Sequence, residues 1–128
     1  MNISFSNILW VAAGSGFGGM TRYIISRIMQ TLFPGSFPWG TFIVNVLGCF
    51  ILGLIYGFIE KGFHLTDGLK LFLTIGFCGG FTTFSTFINE NFQLLEQELT
   101  AQFLLYSISS FVSGLLLIYA GYQIARII

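Results

Sequence analysis

Charge is what this sequence has least of. Five basic and five acidic side chains among 128 residues come to 8%, against about 25% in an ordinary soluble domain. A soluble fold of this size has more surface than so few charges can cover, which excludes a water-soluble domain and makes the bilayer the natural solvent. The net charge is zero and the basic residues are scattered, which excludes a nucleic-acid partner and a clustered headgroup or phosphate site. The two cysteines, Cys49 and Cys78, both lie inside apolar stretches and read as small buried hydrophobes rather than disulfide or metal partners. The one histidine, His64, sits in a polar hinge near Asp67. No nucleophile arrangement can be built on it, so it reads as a solvated loop residue and an enzyme is not expected. Ten-residue alternation is absent, which excludes a transmembrane barrel. The N-terminus lacks a basic region followed by a small-residue cleavage pattern, so a cleaved signal peptide is not expected.

What remains is apolar: 55% of the residues are hydrophobic and sixteen are Phe. A crossing takes about 20 apolar residues, so four crossings and three short loops fill the chain and leave one domain, residues 1–128. The first stretch runs from about Ile8 to Met29 and is closed by Phe33-Pro34-Gly35-Ser36-Phe37-Pro38, which holds both prolines. The second runs from Trp39 to Ile59, with Trp39 as an interfacial anchor. A hinge from Glu60 to Gly68 precedes the third, about Leu69 to Leu95, which is interrupted at Gly79-Gly80-Phe81-Thr82-Thr83. Glu96-Gln97-Glu98 marks its exit, and the fourth runs from about Gln102 to Ile124. Four spans put both termini on one side. Lys61, Lys70 and Arg126 then stand against Arg27 and Arg22, a bias too small to set one orientation. If both orientations coexist, an antiparallel homodimer can form, with each half-site repeated about a two-fold axis in the membrane plane.

Helical spacing sorts the unusual residues onto faces. Gly14, Gly18, Arg22 and Ser26 step by four along the first span, a ridge on which a second backbone can approach closely. Arg22 reads either as a snorkelling anchor or as a cation at an aqueous vestibule. The run Gly14-Ser15-Gly16-Phe17-Gly18-Gly19 matches G-x-G-x-x-G, but no strand precedes it, which rules out a dinucleotide site. In the second span Thr41, Asn45, Cys49, Gly53 and Gly57 form a similar ridge. Asn45 must face protein or water, because an unpaired amide costs several kcal/mol in hydrocarbon. It is either interhelical glue or a donor that replaces water around an anion.

The third span carries the most informative run, Gly76-Phe77-Cys78-Gly79-Gly80-Phe81-Thr82-Thr83-Phe84-Ser85-Thr86-Phe87. Adjacent glycines and threonines weaken a helix, and freed backbone at membrane depth is tolerated only against protein or a cavity. A helix broken there exposes carbonyl oxygens from one half and N–H groups from the other, which can hold a cation. Phe84, Phe87 and Glu90 step by three beyond it. The two rings are either ordinary packing or aromatic edges turned to an anion. In the fourth span Tyr106, Ser107, Ser109, Ser110 and Ser113 place five hydroxyls within eight residues. A single serine can bond its own backbone; five suggest a wet track.

Three of these pieces, Gly18-Gly19-Met20-Thr21-Arg22-Tyr23, Gly40-Thr41-Phe42-Ile43-Val44-Asn45 and Gly79 through Phe87, occur in the order found in the Fluc (CrcB) family of small fluoride channels. The resemblance covers nearly the whole chain. It implies an all-α membrane protein of four helices, the third broken mid-membrane, in an antiparallel dual-topology homodimer in the bacterial inner membrane. It further implies two fluoride pores that export fluoride passively and a structural sodium ion at the dimer centre. Carried over by position, the sodium ligands are the backbone carbonyls of Gly79 and Thr82. Asn45 projects to the pore, Phe84 and Phe87 offer ring edges beside Ser85 and Thr86, and Tyr106 with Ser110 continues a polar track. Arg22, Thr41 and Glu90 belong to the vestibule or pore mouth. The family's track can continue with a hydroxyl where this chain has Gly114.

The chemistry is coherent with that resemblance. Bare fluoride in a low-dielectric interior costs tens of kcal/mol, so short-range donors must replace its water. Many weak contacts suit a conducting ion better than one deep cationic trap. The main competing reading is a small dual-topology, proton-coupled exporter of cationic drugs, which needs a membrane-embedded carboxylate. Its first span would be expected to carry one, whereas here Glu90 is the sole acidic candidate within a span. A packing subunit without transport is a third reading, and it leaves Asn45 and the serines unexplained.

Overall fold

A computed structural model describes residues 3–128. Among these residues every regular element is helical. Helix α1 spans Phe5–Leu32 and starts where the Ser4 hydroxyl accepts the Asn7 N–H at 3.1 Å, satisfying one of the donors a helix start leaves open. The Pro34–Pro38 turn follows, and α2 spans Trp39–Glu60. Thr66 caps the next start through the Leu69 N–H at 3.2 Å. There α3 covers Asp67–Leu71, a π-helical segment covers Phe72–Cys78, and α4 covers Gly79–Phe81. Helix α5, Phe84–Glu96, and α6, Thr100–Ile127, complete the chain.

Among the described residues three segments are long and apolar enough to cross a membrane: Trp39–Glu60, Asp67–Glu96 and Thr100–Ile127. Helix α1 has the length, 28 residues, but its glycines, hydroxyls and two arginines dilute its apolar character. Large apolar side chains stay uncovered along α6, with Phe111 70% exposed and Leu116 63%. A continuous apolar face of this kind needs lipid or another protein surface to cover it.

Small residues set the packing. The α1 ridge lies on the 67–81 segment, where a Cβ on Gly14 would come within 2.9 Å of the Gly76 Cα and one on Gly18 within 2.8 Å of the Phe81 N. Helix α2 runs along α6. A Cβ on Gly53 would lie 3.0 Å from the Tyr122 backbone N, and one on Gly121 would lie 3.0 Å from the Leu54 N. These neighbours are backbone and cannot rotate away. Gly53→Val is therefore expected to lower stability by about 1–3 kcal/mol through overpacking, seen as a lower thermal midpoint in detergent. An unchanged midpoint would contradict this close helix contact.

The interruption expected over Gly79-Gly80-Phe81-Thr82-Thr83 narrows to its second half, since Gly79 and Gly80 remain helical. The helix lapses at the threonines: Thr82 adopts φ −92°, ψ 160° and Thr83 adopts φ −150°, ψ 122°. Extended backbone suits a β-branched side chain. Thr83 then caps α5 by accepting the Thr86 N–H on its hydroxyl at 3.3 Å. The glycines instead permit close approach, since a Cβ on Gly80 would sit 3.0 Å from the Ser15 Cα.

Candidate functional site

The backbone freed at the two threonines is held by a side chain from α2. Asn45 accepts the Thr83 N–H on Oδ1 at 2.8 Å and donates Nδ2–H to the Thr83 carbonyl at 3.1 Å. One amide thus satisfies both polar groups of a single extended residue, which is why an Asn rather than a one-sided donor fits there. In a continuous helix the Thr83 N–H would close onto Gly79 and the Thr86 N–H onto Thr82. Both are diverted, the first to Asn45 and the second to the Thr83 hydroxyl. The Gly79 and Thr82 carbonyls are left without those donors. The neighbouring Gly80 carbonyl accepts the Arg22 Nε–H at 2.9 Å.

Beside this junction lies an open groove of about 650 Å³ lined by Asn45, Gly79, Thr82, Thr83, Phe84, Phe87 and Ser110, among others. Phe84 is 76% exposed. Its ring lies 6.2 Å from that of Phe87, and the Phe87 ring meets Tyr106 at 4.9 Å and 61°. The Ser110 hydroxyl oxygen is buried and has no hydrogen-bond partner among the described residues. Cys49 and Cys78, both free thiols, also line this groove.

A second, more polar cavity of about 400 Å³ lies under the Phe33–Trp39 turn and is lined by Thr41, Glu90, Gln30, Gln93 and Gln97, among others. Glu90 is its centre. Thr41 Oγ1 donates to one carboxyl oxygen at 2.9 Å and Tyr106 OH to the other at 2.9 Å. The Tyr106 ring is fully buried, packed edgewise on Phe37 at 5.4 Å and on Phe87. Tyr106→Phe keeps those ring contacts and removes one donor. It is expected to cost about 1 kcal/mol, and Tyr106→Phe with Thr41→Val is expected to cost more than the two separately, because Glu90 then loses both donors. Thermal midpoints of the four proteins in detergent check this; strict additivity would contradict the shared role of Glu90.

The residues singled out from sequence therefore fall into two groups. Asn45, Gly79, Thr82, Phe84, Phe87 and Ser110 meet at the groove; Thr41 and Glu90 line the polar cavity, Tyr106 bonds Glu90 behind it, and Phe87 connects to that group through Tyr106. Arg22 stands apart from Thr41 and Glu90, tied to the Gly80 carbonyl. Ser85 is exposed and lines neither cavity, while the Thr86 hydroxyl accepts from Thr83 at 3.1 Å. Of the other α6 hydroxyls, Ser107 donates to Asn91 and Ser109 to its own helix at Leu105. Gly114 packs toward Cys49, whose sulfur lies 3.4 Å from where its Cβ would be. Sequence reasoning overlooked Thr83 as the partner of Asn45, Gly80 as the seat of Arg22, and Asn91. Asn91 sits among other polar residues, Asn89, Glu90 and Gln93, so composition alone gives no signal that singles it out.

The family profile described as "CrcB-like protein, Camphor Resistance (CrcB)" matches residues 9–122, a span that contains every residue of both cavities. The chain belongs to the CrcB family. It is 44% identical over 119 residues to the fluoride-specific ion channel FluC of Bacteroides fragilis, covering 89% of this chain and 91% of that protein. It is 43% identical to the fluoride-specific ion channel FluC of Phocaeicola vulgatus, over 90% of this chain and 94% of that protein. With that of Flavobacterium psychrophilum the identity is 40%, over 93% and 96%. Together with its three membrane-capable segments, this makes it a multi-pass bacterial membrane protein.

Proposed function

We propose that the protein is a fluoride-selective ion channel that lets fluoride leave the cell passively and so lowers its toxicity. The observation that carries this reading is the junction at Thr83: a backbone opened and clamped by Asn45 beside a groove bearing two phenyl rings. The names of the relatives, fluoride-specific ion channels of nearly the same length, supply the ion. Fluoride entering the groove exchanges water for the positive edges of Phe84 and Phe87 and for neutral donors such as Ser110, whose hydroxyl is otherwise unpaired. Asn45 acts chiefly by holding the junction, since both ends of its amide are engaged with Thr83. Thr41, Glu90 and Tyr106 form the mouth of the path, and Phe87 links mouth to groove.

In this reading α1 is a fourth crossing, Thr82 and Thr83 lie at mid-membrane depth, and two copies associate antiparallel to give two pores. The uncovered α6 face and the open groove supply surface for that association. A structural sodium ion fits the junction. Carbonyl oxygens are hard ligands suited to such a cation, and those of Gly79 and Thr82 are among the carbonyls that lose their helical donors at the break. Apart from its own helix backbone and chain neighbours, no described atom lies within 4 Å of where a Gly79 Cβ would be, so that side is open to a second copy. Two carbonyls from each copy would hold the ion, which supplies positive charge between the pores.

The test is growth. Expression in a bacterium stripped of its own fluoride exporters is expected to restore growth in fluoride-containing medium. Expression of folded protein in the membrane without such rescue would overturn the reading.

A further inference from the structure

Helix α5 carries both phenyl rings and Glu90, yet it buries just two residues, Leu94 and Asn91. A polar side chain at one of two buried positions contributes little hydrophobic burial, so its hydrogen bonds must justify its place. Asn91 is 5% exposed. Its Nδ2–H donates to the Phe87 carbonyl at 3.0 Å, and its Oδ1 accepts the Ser107 hydroxyl of α6 at 3.0 Å. The path Ser107 to Asn91 to Phe87 thus runs from α6 to the backbone of a groove residue. A carbonyl has two lone pairs, so the amide can add to the ordinary helical bond on Phe87 without displacing it.

The neighbouring pair has the same offset. Tyr106 bonds Glu90, and Ser107 bonds Asn91, each 16 residues apart. Consecutive residues on a helix point about 100° apart. One such bond would let α5 pivot about its axis, whereas two at different azimuths fix both its height and its rotation against α6. The Phe87 ring is held as well, edge-on to Tyr106 at 4.9 Å. A phenyl edge is directional, since its face is negative and its rim positive, so a modest rotation of α5 would turn the wrong part of the ring toward an anion.

We propose that Asn91 and Ser107 are positioning residues for fluoride passage: their hydrogen bond sets the rotation of α5 and thereby the angle at which Phe87 presents its edge to the groove. This rests on the fluoride-channel reading above. Asn91 lies outside the groove and Ser107 lines it, so the dependence on Phe87 is what separates orientation of the ring from direct contact with the ion.

The experiment measures fluoride efflux from liposomes containing purified protein, with a fluoride electrode. Asn91→Ala is expected to slow efflux about tenfold, the rate equivalent of one to two lost hydrogen bonds. Ser107→Ala is expected to slow it less, and the double variant no more than Asn91→Ala alone. Ser107→Thr, which keeps the hydroxyl, is expected to retain the wild-type rate. In a Phe87→Ile background Asn91→Ala is expected to have no further effect, because the edge it orients is gone. Wild-type rates in both single variants, or equal slowing by Asn91→Ala with and without Phe87, would overturn the proposal in favour of simple packing. If Asn91→Ala does not purify as a folded protein, Ser107→Ala with and without Phe87→Ile decides it: slowing only while Phe87 is present supports it, and no slowing, or equal slowing in both backgrounds, overturns it. A wild-type protein that releases no fluoride removes the channel reading itself, and this inference with it; a conducting wild type with unaffected variants removes this inference alone.

Discussion

Replacing Phe87 with isoleucine is expected to slow fluoride efflux about tenfold, and replacing Phe84 as well to slow it about a hundredfold, while the protein still elutes as one symmetric species. Isoleucine preserves most of the apolar volume but has no quadrupole. An aromatic contact of this sort is worth about 0.5–1.5 kcal/mol, and 1.36 kcal/mol is a factor of ten in rate, so two rings acting in series approach two decades. The geometry makes these side chains suitable for the test. Phe84 is 76% exposed and so contributes little to the core. Phe87 has the Tyr106 and Phe84 rings as neighbours, at 4.9 and 6.2 Å. Electrode recordings from liposomes of matched protein content check the rates. Unchanged efflux in the double variant would remove the rings from the mechanism and leave them as packing.

The second large effect belongs to Asn45. Asn45→Leu strands the Thr83 N–H and carbonyl at once, each an unsatisfied polar group costing about 1–3 kcal/mol. A loss of about 3 kcal/mol in stability is expected, together with loss of efflux, because the Thr82–Thr83 junction no longer holds its extended shape. Asn45→Asp separates the two bonds. It keeps an acceptor for the Thr83 N–H but sets an oxygen against the Thr83 carbonyl, so it is expected to fold better than the leucine variant and still conduct poorly. Thermal unfolding in detergent and fluoride efflux read the two effects independently. A leucine variant within about 0.5 kcal/mol of wild type, the range of inert surface changes, would contradict the clamp.

Much of this arrangement was legible in the chain itself, for identifiable reasons. Apolar runs bounded by Pro34, Pro38 and the Glu60–Gly68 hinge delimit helices because proline and glycine act locally. The ridges Gly14–Gly18–Arg22 and Gly53–Gly57 could be read because helical period alone puts them on one face, and both lie at helix contacts. Within the Gly79–Thr83 interruption, local propensity counts against glycine and β-branched threonine alike and leaves open which of them yields; Gly79 and Gly80 stay helical and the threonines do not. What selects Thr82 and Thr83 is an interaction 38 residues away in sequence, with Asn45, and no local rule encodes it. The π-helical turn at Phe72–Cys78 is equally non-local, arising where α1 glycines press on that segment. The pairing of Glu90 with Tyr106 and of Asn91 with Ser107 depends on the register of two helices, which single-sequence periodicity leaves open. Arg22 carried two readings, anchor or vestibule cation; its guanidinium sits on the Gly80 carbonyl, a placement that turns on how α1 packs rather than on its own helix face.

The most direct measurement places purified protein in liposomes loaded with both potassium fluoride and potassium chloride and follows each anion with its own electrode after a potassium ionophore is added. Rapid fluoride release with chloride retained is the predicted result. Equal release of both anions, or release of neither, would contradict a fluoride-selective pore built from neutral donors and phenyl edges.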